Sequence, residues 1–221
     1  MAAIRPDDDE RGASELAVRA PRQRRTRDQW ERILDAGVRL LEDGGYEAFT
    51  IAALCERAQV PPRALYARAA TKDALFLAVY EHGMRRLRAS EQVFTDTDRW
   101  QRDDYPRRIE RAVLDLVTIF VDHEDFLRSV VLISGAHPEV LRRGEAYREA
   151  LGSLFTAVLA PPDGARADAR ALQEHEFCFS MVFAAMVIRT AYGPNYGPAG
   201  DTAGLGREMV IMAQRYLLAR S

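Results

Sequence analysis

The sequence predicts an all-α protein, and three observations carry that expectation. Apolar residues recur at three-and-four spacing almost throughout, and no sustained period-two run of β-branched residues lies between turn dipeptides. Clusters of Pro and Gly, at Pro161, Pro162 and Gly164 and again from Gly193 to Pro198, punctuate the periodic stretches. With 221 residues, 48% of them hydrophobic and 29% charged, the chain is long enough for one large domain or two unequal ones, each burying its own core.

Residues 1–21 contain Pro6, Gly12 and Pro21 and little apolar content, so they are expected to form a disordered arm that cannot offset the entropy of ordering. A first helix should begin near Thr26 to Asp28. Its stripe is Trp30, Ile33, Leu34, Gly37, Val38 and Leu41, and Gly44 and Gly45 should close it. Thr50 is a natural N-cap for a two-turn helix presenting Ile51, Leu54, Cys55 and Ala58, interrupted at Gln59, Val60 and Pro61. Pro62 suits the first position of a third helix running through Arg63 to Arg68, since its missing N–H costs nothing there.

A fourth helix should open at Thr71 to Asp73 and carry Leu75, Phe76, Val79, Tyr80 and Leu87 as far as Glu91, where Thr95 to Asp98 breaks it. Beyond lie helical stripes at Ile109, Val113, Leu116, Val117 and Phe120, at Phe126 to Ile133, and at Tyr147, Leu151, Leu154, Phe155 and Val158. Ala169 to Tyr192 reads as a long helix apolar nearly all round. Thr202 to Ala219 reads as a last helix carrying Leu205, Met209, Met212, Tyr216 and Leu217. These boundaries divide the chain into the arm, a domain at 22–75 and a helical domain at 76–221.

Charge and composition narrow the function. The net charge is -2, so affinity for a polyanion must come from distribution. Residues 22–75 hold ten basic against eight acidic side chains, with Arg22, Arg24, Arg25 and Arg27 at the mouth of the first helix. The apolar segment Phe177 to Ile188 is 12 residues long, short of the ~20 needed to cross a bilayer. The acidic, Arg-containing start is not of signal-peptide type, so a cytoplasmic protein without membrane contact is expected. Cys55 and Cys178 stand far apart and read as packing residues. A redox pair across subunits is the alternative that their distance leaves.

His82, His123, His137 and His175 show no HxxxH or HExxH spacing, and no metal or other cofactor is expected. No GxSxG elbow, P-loop or GxGxxG occurs, and Ser153 lacks the second glycine of an elbow, so no catalytic residue is assigned and an enzyme is not expected.

Two short helices joined by a tight turn and braced by a longer one make a helix-turn-helix, whose second helix enters the major groove of double-stranded DNA. Its first turn presents Pro62, Arg63 and Ala64, with Arg68 one turn on. Arg63 suits bidentate pairing with guanine, and Ala64 leaves room for a base edge or thymine methyl. Phosphates are expected at the N-terminus of the helix capped by Thr50, at the Tyr66 hydroxyl, at Arg27 and at Lys72, the chain's only lysine.

The stretch Ile33 to Leu75, with Phe49-Thr50-Ile51, Leu54-Cys55-Glu56-Arg57-Ala58, Val60, Leu65-Tyr66 and Lys72-Asp73-Ala74-Leu75, resembles the DNA-binding domain of the TetR family of bacterial repressors. Three positions depart from the family pattern. Gln59 stands where Gly is usual, Pro61 where Ser or Thr caps the recognition helix, and Arg68-Ala69 where an aromatic pair is usual.

The resemblance implies a homodimeric repressor that binds a palindromic operator, with half-sites about 34 to 36 Å apart, and is released by a small-molecule effector. It implies that the last two helices pair across the dimer, through Phe179, Val182, Met186, Met209, Met212 and Tyr216. Candidates for the effector pocket are Trp100, Tyr105, Phe120, Phe126, His137, Phe155 and Phe183, although each by itself reads more readily as core than as a ligand contact. The departures at Gln59, Pro61 and Ala69 keep open a second reading, a dimeric adaptor without sequence-specific DNA binding.

Overall fold

A computed structural model describes residues 24–160, 169–194 and 201–219, and the expected arm at 1–21 lies outside them, as do Arg22, Pro161, Pro162, Gly164 and the stretch 195–200. The described residues are helical with no strand, and they form two compact units, one ending at Arg86 and the other beginning at Leu87.

The first unit holds α1 (Arg24–Ala48), α2 (Ile51–Ala58), α3 (Pro62–Tyr66) and the greater part of α4 (Lys72–Ser90). Helix α1 is interrupted at Gly45, whose φ of 66° and ψ of -164° belong to a region essentially confined to glycine. The helix therefore breaks where the glycine pair predicts, and the chain turns through Tyr46 to Phe49. Phe49 is fully buried and meets the edge of Phe76 with ring centroids 5.7 Å apart, while Tyr46 meets the same ring at 4.8 Å. The predicted stripe of α1 is buried, with Ile33 and Leu41 each at 1% exposure.

Gly37 lets α1 approach α4 closely, because a Cβ there would stand 2.4 Å from Val79 Cγ2. On the same pair of helices Asp35 accepts from Arg86 Nη2 at 2.7 Å and lies 2.8 Å from His82 Nε2. Burial raises the Asp35 pKa, but His82 and Arg86 outweigh it and the net shift is downward.

The second unit is a helical bundle of α5 (Thr97–Gln101), α6 (Tyr105–Asp122), α7 (Glu124–Ser134), α8 (Pro138–Leu159), α9 (Ala169–Tyr192) and α10 (Thr202–Leu218), entered through a 3-10 turn at Glu91–Phe94. The stretch Thr95 to Asp98, expected only to break a helix, starts one as well: the Asp96 side chain accepts from the Arg99 N–H at 3.3 Å and opens α5. Helix α8 begins well before its predicted stripe, at Pro138. His137 caps it with Nδ1 accepting from Val140 N–H at 3.4 Å.

Helix α6 supplies a continuous buried face from Ile109 to Phe120, and α10 packs along it through Leu205, Met209, Ala213 and Leu217. Rings in contact run through the core from Trp100 to Phe94, Phe155, Phe179, Phe183 and Phe120, at centroid separations between 5.3 and 6.4 Å. Each such ring contributes on the order of 1.5–3 kcal/mol by leaving water. Gly152 makes room for one of them, since a Cβ there would meet Phe179 Cε1 at 2.9 Å.

Candidate nucleic-acid interface

The helix pair α2–α3 is built by local rules. Thr50, in extended backbone, accepts from the Ala53 N–H at 3.1 Å and so caps α2. Its other end closes on Gln59, which takes φ 54° and ψ 50° while its N–H reaches the Glu56 carbonyl at 3.2 Å and the Val60 N–H reaches Cys55 at 3.0 Å. This is the paired closure usual for a left-handed cap, held here by a residue with a Cβ. Gln59 thus keeps the turn that the family pattern assigns to glycine.

Pro61 offers no side-chain cap, and Pro62 takes the first helical position. Helix α3 is shorter than expected, ending at Tyr66 where a run to Arg68 was predicted. The backbone nevertheless stays folded past that point, with Ala67 bonding to Arg63 at 3.0 Å and Ala69 to Leu65 at 3.0 Å. Thr71 accepts from Ala74 N–H at 3.0 Å and opens α4, leaving Lys72 in its first turn.

One side of this pair is locked and the other is open. Leu54, Ala58, Val60, Leu65 and Ala69 are buried. Ala69, standing where an aromatic residue is usual, is 1% exposed, so the smaller side chain sits in the core of the unit. Arg27, Thr50, Pro62, Arg63, Tyr66 and Lys72 are exposed, and Ala64 and Arg68 are half-buried. Tyr66 is the most exposed aromatic of the unit at 54%, which an apolar-bodied side chain tolerates best where a partner covers it. Lys72 Nζ stands 4.8 Å above the Tyr46 ring, a cation–π placement that sets the ammonium at the start of α4. Tyr46 had no predicted role. An aromatic residue directly after a glycine pair was the available signal, without a partner in sequence to interpret it. Arg57 forms an ion pair with Asp43, which ties α2 to the end of α1.

The second unit places its predicted residues differently. Trp100, Phe120, Phe126 and Phe155 are buried and Phe183 is half-buried. All but Phe126 belong to the run of rings, and Trp100 Nε1 donates to the Val93 carbonyl at 2.8 Å. Tyr105 faces a buried polar group, His175, at 2.8 Å from hydroxyl to Nε2.

Of the residues expected at a dimer interface, Phe179, Val182, Met186 and Met209 are buried within the chain's own bundle, while Met212 and Tyr216 are 45% and 38% exposed. The exposed apolar stripe of α9 is Phe177, Met181, Ile188 and Tyr192, and Ile211 extends that of α10. Phe177 touches Tyr216 with centroids 5.5 Å apart, so the two stripes form one surface. Helix α9 is long and apolar enough by length and composition to cross a membrane, yet its apolar residues divide between a face buried in the bundle and this stripe. Cys55 and Cys178 are free, and burial raises both thiols, Cys178 to about 11. Among the described residues, no three His, Cys, Asp or Glu side chains group as metal ligands would.

Residues 33–79 match the model of the family described as bacterial regulatory proteins, tetR family. Two solved structures share the fold over nearly the whole chain. One is a TetR-like transcriptional regulator from Rhodococcus sp. RHA1, 18% identical, covering 90% of this chain and 99% of that one with a TM-score of 0.63. The other is a TetR transcription regulator from Haloarcula marismortui ATCC 43049, 19% identical, covering 87% and 97% with a TM-score of 0.66. No curated protein matches the sequence.

Proposed function

From the match of residues 33–79 to the tetR family of bacterial regulatory proteins we propose that this chain is a repressor that binds a palindromic operator as a homodimer and leaves it when a small molecule occupies the C-terminal unit. DNA binding and regulation follow from the family. The observation that carries the finer reading is the open first turn of α3, where Pro62 and Arg63 are exposed and Ala64 half-buried while Leu65 anchors the helix from behind.

In this reading Arg63 supplies base discrimination and Ala64 admits the base edge. Thr50, Tyr66, Arg68, Lys72 and Arg27 hold phosphates and so set position. The apolar surface shared by α9 and α10 is proposed as the dimer contact, because a stripe of Phe, Met, Ile and Tyr side chains is favoured when a second copy covers it. An effector acts only by preferring one separation of the recognition helices over another. The proposed divisions are an arm at 1–21, a DNA-binding domain at 22–75 and a sensing and dimerising domain at 76–221, in a cytoplasmic protein.

Selection of duplexes from a random pool, with the winners' affinity followed against salt, tests the proposal. A palindrome with half-sites about one helical turn apart, bound with a steep salt dependence, is the expected result. Enrichment of no sequence would favour the adaptor reading. On the recovered operator Arg63→Ala should relax preference at one position per half-site by ~1 to 3 kcal/mol, and Lys72→Ala should weaken all duplexes alike.

A further inference from the structure

Arg108, on α6, is 8% exposed, and His175, on α9, is 4% exposed. Nη1 of Arg108 donates to the carbonyls of Ala160 at 2.8 Å and Val158 at 3.4 Å, which caps the C-terminal end of α8. That role uses one corner of the guanidinium. Nε is buried without a hydrogen bond, and among the described residues no carboxylate stands within ion-pair distance of Arg108. A buried cation with no counter-charge is costly, and an unpaired N–H adds to the cost.

His175 repeats the pattern, its Nε2 engaged by the Tyr105 hydroxyl at 2.8 Å and its Nδ1 buried without a partner. The two groups flank one ring. The guanidinium carbon is 5.6 Å from the Tyr105 centroid, and the imidazole centroid is 6.1 Å from it. Tyr105 is the half-buried member of the three and is the one that reaches solvent.

We propose that Arg108, His175 and Tyr105 form a receptor for the carboxylate of a small organic acid, which deepens the reading above by naming the class of effector. It rests on the reading that the C-terminal unit senses a small molecule. The Nε–Nη2 edge of Arg108 fits the two oxygens of a carboxylate with parallel N–H donors. With Tyr105 donating to Nε2, the neutral imidazole carries its proton on Nδ1 and offers a third donor. Burial holds His175 below its usual pKa, with Glu174 opposing and Arg108 reinforcing, in keeping with a neutral ring.

A single negative charge matches the single guanidinium. The same helices otherwise bury Ile109, Ala112, Leu151, Phe155 and Phe179, which suits an acid with an apolar remainder.

Straight-chain monocarboxylates from acetate to decanoate, and their primary amides, serve as probes of the full chain without DNA, by thermal unfolding and calorimetry. At least one acid should bind once per chain and at least tenfold tighter than its amide. Arg108→Met should abolish that preference. Should that variant fail to fold for want of the α8 cap, Tyr105→Phe decides: it should weaken the acid at least threefold and leave the amide unchanged. No binding by any acid, equal binding of acid and amide, or unaltered acid binding by Tyr105→Phe would overturn the receptor. Adding the same acid to the DNA complex separates the two readings. Acid binding without release from DNA supports the receptor and sinks the effector role, whereas operator binding by a chain that binds no acid sinks the receptor alone.

Discussion

Gln59 holds a left-handed conformation that an L-residue enters at ~1 to 2 kcal/mol, because its Cβ crowds the following carbonyl. Glycine avoids that cost but adds ~0.5 to 1 kcal/mol of chain entropy to the unfolded state. Gln59→Gly should therefore stabilise the protein by ~0.5 to 1 kcal/mol in urea unfolding; a loss of stability would mean that the Gln side chain contributes a contact outweighing its strain. Glu91 presents the electrostatic case. It is 8% exposed with Oε1 lacking a hydrogen bond, and burial raises its pKa more than Tyr147 and Arg88 lower it. A carboxyl whose folded pKa lies above its unfolded one stabilises the fold below the unfolded value of about 4.5 and loses that contribution as pH rises through the folded value. The stability of Glu91→Gln relative to wild type should accordingly climb as pH is raised from 4.5, and a flat difference across that range would refute the assignment.

Helices are placed by close approaches as much as by stripes. Gly37 lies inside the apolar stripe of α1, and its missing side chain is what brings α4 near: an added methyl would meet Val79 Cγ2 at 2.4 Å and Cγ1 at 2.9 Å. Overpacking of this kind costs ~1 to 3 kcal/mol. Gly37→Ala should lower the unfolding midpoint, and combining it with Val79→Ala should cost less than the two separate losses together, since the second change removes the clashing methyls. Additive losses would show that the helices shift apart instead. The periodicity of α1 and α4 was plain in the sequence, as was the cap at Thr50. The length of α3 was not, because Arg63 to Arg68 continues to satisfy helical preferences while the turn toward Thr71 ends the helix at Tyr66.

For the whole molecule, the exposed stripe of α9 and α10 predicts its state of association. On the proposal that this stripe is the dimer contact, Ile188→Glu together with Met212→Glu should yield a folded monomer in sedimentation where the wild-type chain is a dimer, with helical circular dichroism retained and affinity for the selected operator reduced at least tenfold. Val182→Glu, placed at a position with 0% exposure, should instead unfold the chain. A double variant that stays dimeric would move the contact elsewhere.

The all-α class, the helix-turn-helix and the exposure of Arg63, Tyr66 and Lys72 were legible in the sequence alone. Those follow from local rules: periodicity, capping and the conformational limits of Pro and Gly. Which side of α9 meets its own chain was decided only in three dimensions. A helix apolar all round carries no mark distinguishing Phe179, Val182 and Met186, on the face that α6, α7, α8 and α10 cover, from Phe177, Met181 and Ile188, which they leave open. The pairing of Tyr105 with His175, 70 residues apart, and the lack of an ion-pair partner for Arg108 among the described residues were likewise invisible in sequence. Both depend on long-range packing that brings α6 against the end of α8 and the first half of α9, and no local pattern encodes where those surfaces meet.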